Sequence, residues 1–283
     1  AYVEVKQQKA IADANLDEAK QQETRALANL DLVLAAVDQM LSRTAEARLA
    51  DIPRTAALRR QLLEDALQFH EALARAETGA RTQEERARSR RRVGQIRLDL
   101  GLVKPAIEVL EQARAELAAL AEQEPQSLRL QVELARANGS LAEAYARVAD
   151  APAQHRATAQ AVVHWTAVVA AQPDNQPYRR SLALARIDAV RQLAEEQRFA
   201  EGHQALDQLE ADLRIDPEQA LQGEERYRWL AVQARVADAR GLLWTDQGET
   251  QRAEAAFDLA LTRLGEAEAA APALHDARHD LLG

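Results

Sequence analysis

The sequence of 283 residues contains no cysteine. Disulfides, thiolate metal sites and cysteine nucleophiles are therefore excluded. Aromatic residues make up 4% of the chain and methionine occurs once, so a core has to be assembled from alanine, leucine and valine. Small side chains let helices approach closely, and alanine and leucine are strong helix formers. The ten glycines and eight prolines are sparse and unclustered, and no segment sustains the two-residue alternation of a half-buried strand. The fold class is all-α. No apolar run reaches the roughly 18 residues of a membrane span. Ala1-Tyr2-Val3-Glu4 reads neither as a signal peptide nor as a natural start, so the chain is expected to be a piece of a longer protein. Lysine is confined to Lys6, Lys9, Lys20 and Lys104, and arginine carries the remaining positive charge, a bias that a GC-rich genome explains. The net charge of −9 excludes nonspecific nucleic-acid binding, which needs a basic surface to displace counterions.

What the chain does have is a period. Gly94, Ala142 and Val190 are 48 residues apart, and Pro125 and Pro173 share that spacing, each closing an Ala/Leu/Val stretch. A less regular fourth copy runs from Gly241-Leu242-Leu243-Trp244 through Gly248, Ala253, Phe257 and Ala260 to Pro272. Fixed-period self-similarity marks a solenoid, in which each unit buries its apolar face against its neighbours. The pattern predicts helix pairs at 82–99 with 103–123, 127–149 with 154–171, 177–197 with 199–214, and 223–246 with 249–270. The array spans 81–272, as hairpins of about 81–125, 126–173, 174–217 and 218–272. Asp216-Pro217 and Gly223 form its longest break, where any change of superhelical direction is expected. Residues 273–283 read as a truncated capping helix beginning at His275.

Residues 2–46 lack glycine and proline and read as one long helix. Leu27, Leu30, Leu34, Val37 and Leu41 follow the three-four alternation of a coiled-coil seam. Upstream the same seam meets Lys20 and Glu23, so a homodimeric coiled coil and a helix docked on the first hairpin both fit. A block at 47–80 follows, with Asp51 as N-cap and Pro53 in the first turn of a helix over 54–76. Leu58, Leu62, Ala66, Phe69 and Leu73 fall on one face of it.

The spacing of Gly241, Trp244, Ala253, Phe257 and Ala260 resembles the tetratricopeptide (TPR) signature. Val93-Gly94, Gly101, Ala106, Leu110 and Ala113 match it in the first unit, and Leu141-Ala142, Tyr145 and Ala161 in the second. The third is weakest, with Leu193, Phe199-Ala200-Glu201-Gly202 and Leu206. The hairpins run longer than the usual 34-residue repeat. Ala36-Val37-Asp38-Gln39-Met40-Leu41, Leu49-Ala50-Asp51-Ile52-Pro53 and Leu62-Leu63-Glu64-Asp65-Ala66-Leu67-Gln68-Phe69 look like a block that lies C-terminal to the kinase domain in planctomycete-type bacterial Ser/Thr protein kinases. The resemblance implies a right-handed superhelix of antiparallel helix hairpins. It also implies a non-catalytic docking or sensing region of a bacterial signalling protein, anchored to a membrane only through the parent chain, on a side that stays open.

No chemistry assembles in the chain itself. Asp99-Leu100-Gly101 superficially matches the metal-binding Asp-Phe-Gly of kinases, but it sits at a hairpin turn that needs a left-handed glycine, with no phosphate loop or paired lysine. His275 and His279 are four apart beside Asp276 and Asp280 but lack a third ligand. His164-Trp165 lies in an apolar helix, where a packed and hydrogen-bonded histidine is the ordinary case. Glu64 and Asp65 point about 100° apart on a helix and share no site, and Glu64 is expected to face Arg60 or Gln68. No catalytic residue, cofactor or metal is assigned.

In the TPR family the first helix of each hairpin lines the concave face. The inward positions are then Arg88, Arg91 and Gln95; Arg136, Glu143 and Arg147; Arg191 and Glu195; Arg235 and Asp238. An arginine in every unit suits an acidic or phosphorylated peptide, because guanidinium offers a planar fork of donors. The same arginines also read as ordinary helix surface paired to nearby carboxylates. Beside the peptide-docking reading stand a dimerisation or scaffolding role that sets the geometry of the parent protein, and small-molecule sensing among Trp165, Trp229 and Trp244.

Overall fold

A computed structural model of the chain describes residues 15–22, 25, 56–75, 80–213 and 221–271, and all regular structure among them is helical. The chain divides into two compact units, Ala1–Ala66 and Leu67–Gly283. In the first, residues 15–22 are helical and exposed. The rest of the expected 2–46 helix, its coiled-coil seam and homodimer, and the capping helix at 273–283 lie outside the described residues.

Helix α1 is Ala56–Arg75. Its buried positions are Leu63, Ala66 and His70, whereas Leu58 is 50% exposed and Leu62 and Phe69 are half-buried. The buried face is thus turned by about one residue from the expected Leu58-Leu62-Ala66-Phe69 stripe. Leu62, Leu63, Ala66, Leu67 and Phe69 make an apolar stripe wide enough for packing to choose its centre.

The second unit carries the array: α2 Ala80–Asp99, α3 Val103–Gln123, α4 Leu128–Arg147, α5 Ala151–Ala171, α6 Gln176–Glu195, α7 Phe199–Asp212, α8 Gly223–Asp246 and α9 Thr250–Ala270. Each helix packs on the next in sequence, giving four hairpins, α2/α3, α4/α5, α6/α7 and α8/α9. The pattern is that of a TPR-like α-solenoid. Corresponding residues Gly94, Ala142, Val190 and Gly241 are 48, 48 and 51 apart. Gly94 sits against Leu110 and Gly241 against Phe257, so closely that a Cβ at either position has no room. These are the crossing points of the first and last hairpins.

All four hairpins turn in the same way. The residue at the turn has positive φ, namely Gly101 (78°), Ala149 (57°), Gln197 (58°) and Gly248 (75°). In each, the following N–H reaches back over the helix end: Leu102 to the Arg97 carbonyl, Asp150 to Tyr145, Arg198 to Leu193 and Glu249 to Trp244, at 2.8–3.0 Å. This is the Schellman closure that satisfies terminal carbonyls. Between hairpins the residue before proline takes one repeated backbone shape, φ −127° at Glu124, −137° at Gln172 and −140° at Ala271, as a following proline requires. Asp150 caps α5 by accepting from the Ala153 N–H at 3.1 Å, and Asn175 caps α6 by accepting from Tyr178 at 3.2 Å.

Candidate binding surface

The first helices approach one another across hairpins: α2 packs on α4, and α6 on α8. Among the described residues the second helices α3, α5, α7 and α9 make no comparable packing on one another. On the TPR resemblance, the exposed sides of the first helices are the expected inside of the bend. The ion pairs along that side decide what it offers a partner.

At the α2/α4 seam the expected site residues are largely consumed by the fold. Arg91 is 4% exposed, and its Nε donates to Glu133 Oε2 at 2.6 Å. Arg136 donates to the other Glu133 oxygen at 2.9 Å, and Arg88 lies 3.8 Å from it while also bonding Glu85 at 3.0 Å. Burial works against the Glu133 charge, but the three arginines outweigh it and hold the carboxyl down to about 2. Gln95 donates to Asp99 at 3.2 Å and accepts from Ser140 Oγ at 2.5 Å. Arg147 donates to Glu143 and to the Leu98 carbonyl, both at 2.6 Å.

Farther along, Asp188 of α6 lies 3.6 Å from Arg191 and 4.0 Å from Arg235 of α8. Burial pushes the Asp188 carboxyl up, Arg235 and Arg191 pull it back, and Glu143 of α4 adds to the rise. Glu143, Asp188, Arg191 and Arg235 thus share one electrostatic neighbourhood drawn from three first helices. Glu195 accepts from His155 Nε2 at 3.0 Å when that nitrogen carries the proton. Asp238, half-buried on α8, has no ionic partner among the described residues.

All six expected arginines, Arg88, Arg91, Arg136, Arg147, Arg191 and Arg235, therefore have a carboxylate within 4.0 Å. An arginine counted along the sequence looks available; an arginine seen beside the neighbouring helix is neutralised. The carboxylates that do this lie mainly one helical turn away or one repeat away, and no count along a single helix reveals the second kind.

Among the described residues, cavities open in the array. One of about 530 Å³ lies between the ends of α6 and α8 and the turn into α7. Val190, Ala239 and Leu243 form its buried floor, and Arg191, Glu195 and Asp246 reach its rim. Another of about 430 Å³ lies among α3, α4 and α5. Three of its polar groups are engaged with each other: Glu111 pairs with Arg114 and accepts from Tyr145 Oη at 2.8 Å. Burial and that bond push the tyrosine up to about 12.

The three tryptophans do not converge on a cavity. Trp165 packs with Tyr178, Trp229 is buried beneath Arg179, and Trp244 is stacked between His203 and Arg252. His164 bonds Gln131 at 2.7 Å, and burial lowers its affinity for a proton. Glu64 accepts from Arg60 at 2.9 Å. His275 and His279 lie outside the described residues. No described helix is long and apolar enough to cross a membrane.

No protein-family model matches the chain, and no curated protein matches it. Among solved structures it is similar to the TPR-like repeats of a putative kinesin light chain from Podosopora anserina, at 19% identity over 82% of this chain and 95% of that one, with a TM-score of 0.49. A single-substitution variant of that same protein is similar at 20% identity, over 83% and 96% of the two chains, with a TM-score of 0.49. MamA of MSR-1 is similar at 16% identity over 73% and 97%, with a TM-score of 0.34.

Proposed function

We propose that the array is a non-catalytic protein-interaction module that holds a peptide or protein segment on the inner side of its bend. The supporting observation is the convergence of Glu143, Asp188, Arg191 and Arg235 from α4, α6 and α8 beside an open cavity. Arg91 takes no part, being buried. The face comprises Arg136, Glu143 and Arg147 with Arg191, Glu195, Arg235 and Asp238, and Arg88 and Gln95 continue it toward α2. An acidic or phosphorylated segment is the partner that counting arginines suggests. It has to displace the chain's own carboxylates, so this reading favours it less than a segment that leaves those pairs intact.

The resemblance of residues 36–69 to the kinase-associated block supports the further proposal that this is the docking or sensing region of a bacterial Ser/Thr kinase. We keep the division into a 1–46 helix, a 47–80 block and an 81–272 array as part of that proposal.

Random dodecapeptides displayed on phage and selected against the full chain test the interaction reading. Bound peptides are expected to slow amide exchange on α4, α6 and α8. Protection confined to α3, α5, α7 and α9, or no selected peptide, overturns it.

A further inference from the structure

The internal repeat makes one seam a reference for the other. Under the 48-, 48- and 51-residue spacing, α2 corresponds to α6 and α4 to α8. At the α2/α4 seam the end nearest the turn is filled from within. Arg147 crosses from α4 to the Leu98 carbonyl, which also accepts the Gly101 N–H at 3.0 Å. Beside it Ser140 bonds Gln95.

At the α6/α8 seam the corresponding residues cannot do this. Arg147 is matched by Asp246, Glu143 by Leu242, Ser140 by Ala239 and Leu98 by Ala194. The Ala194 carbonyl accepts the Gln197 N–H at 2.9 Å, as Leu98 accepts Gly101, but position 246 carries no arginine to supply the second bond. The 530 Å³ cavity is the space so vacated, since its lining includes Ala194, Gln197, Ala239, Leu242 and Asp246. Its charge is set for a cation. Asp246 has no ionic partner among the described residues, Glu195 stands across from it, and the carbonyl ends of α6 and α8 add negative potential. Arg191, on the same rim, lies nearer to Asp188, at 3.6 Å, and shares it with Arg235.

We propose that this cavity receives an arginine side chain of a partner peptide, which takes from outside the place that Arg147 holds within the chain. The inference rests on the reading of the inner face as a peptide-binding surface. The guanidinium donates to the Ala194 carbonyl and to Asp246 or Glu195, and its methylene stem lies along Leu242 and Leu243. Arginine is preferred to lysine because one planar fork serves a carbonyl and a carboxylate at once.

The selected dodecapeptides provide the test, measured by fluorescence anisotropy against the full chain. Replacing one particular arginine by citrulline, its neutral isostere, is expected to weaken binding on the order of tenfold or more. Asp246→Arg supplies the guanidinium internally, so it weakens the same peptides and makes the citrulline replacement without further effect. Glu195→Gln and Asp246→Asn, which add no bulk, weaken them several-fold if Asp246→Arg does not fold. Peptides indifferent to every citrulline replacement overturn the arginine pocket. If such peptides still protect α4, α6 and α8, the interaction reading stands without it. Peptides that protect only the second helices, or none selected, remove both.

Discussion

The two seams between first helices hold equivalent places in the repeat and opposite chemistry. In α2 and α4, Glu84, Glu85, Ser89, Arg91, Glu133, Asn138 and Ser140 are buried; in α6 and α8 the one buried polar residue among those described is Arg180. The centres of the seams correspond residue for residue. Arg91 and Glu133 of the first are matched by Ile187 and Val232 of the second, both in the apolar cluster around Trp229. The outer ends carry ion pairs of reversed sense: Glu84 with Arg129 at 2.5 Å, but Arg180 at the position of Glu84, with Glu225. Stacking α6 on α4 in the same register would set Arg180 against Arg129. That wrong neighbour is penalised, which helps give the repeats an order. The apolar seam is held at its centre by burial, whereas the polar seam is costly to break without being strong, since a buried ion pair about offsets its own desolvation.

The largest expected effect comes from breaking that pair. Glu133→Ala leaves Arg91 buried without its carboxylate and is expected to cost about 3–5 kcal/mol, read from the urea midpoint at constant m. Arg91→Ile with Glu133→Val copies the second seam and is expected to be neutral or to stabilise by about 1–4 kcal/mol. If the double variant loses as much as the single one, the two seams are not equivalent.

Acid should separate the seams next. Glu133 ionises at about 2 in the folded chain against 4.5 when unperturbed. The folded value is the lower one, so the unfolded chain binds more protons in this window. Stability from Glu133 is complete above about pH 4.5 and is lost as pH falls toward 2, by about 3 kcal/mol in all. Arg91→Ile with Glu133→Val should remove that slope between pH 4.5 and 2. A parent chain and double variant with the same acid profile would show that Glu133 does not carry it.

The hairpin crossings come third. Alanine at Gly94 meets Leu110, which is fully buried, and alanine at Gly241 meets Phe257, which is half-buried and so less confined by neighbours. Overpacking costs about 1–3 kcal/mol, offset by up to about 1 kcal/mol of helix propensity. Gly94→Ala should therefore lose more than Gly241→Ala in thermal melts, and the reverse order would mean that Phe257 is the more tightly held.

Helix positions were legible because the period and the glycines and prolines are local signals. α3, for example, begins at Val103 and ends at Gln123 as its spacing predicts. The buried state of Arg91 was not legible. Its partner lies 42 residues away, and the pairing depends on the register of a neighbouring helix. The cavity was hidden for another reason. It is a difference between copies, where Asp246 replaces the arginine of the second unit, and it emerges only when the fourth copy is aligned with its 51-residue offset. The turn residue Ala149 is equally silent, because alanine gives no sign of a positive φ and the neighbouring Asp150-Ala151-Pro152 carries the turn signal.

Those turns supply the finest comparison. All four hairpins close through the same hydrogen bond and the same left-handed residue, yet glycine stands in the first and last turns, and alanine and glutamine in the middle two. A side chain in that conformation costs roughly 1–2 kcal/mol, and replacing it with glycine returns about 0.4–1 kcal/mol to the unfolded chain as entropy. Ala149→Gly should therefore stabilise by about 1 kcal/mol or less, a rise of a few degrees at most in the melting temperature. Gly101→Ala and Gly248→Ala should lose a similar amount. No atom lies within 4 Å of a Cβ at either glycine, so the loss reports backbone strain and not collision. If Ala149→Gly destabilises while Gly101→Ala costs nothing, the left-handed closure is not what the four turns share.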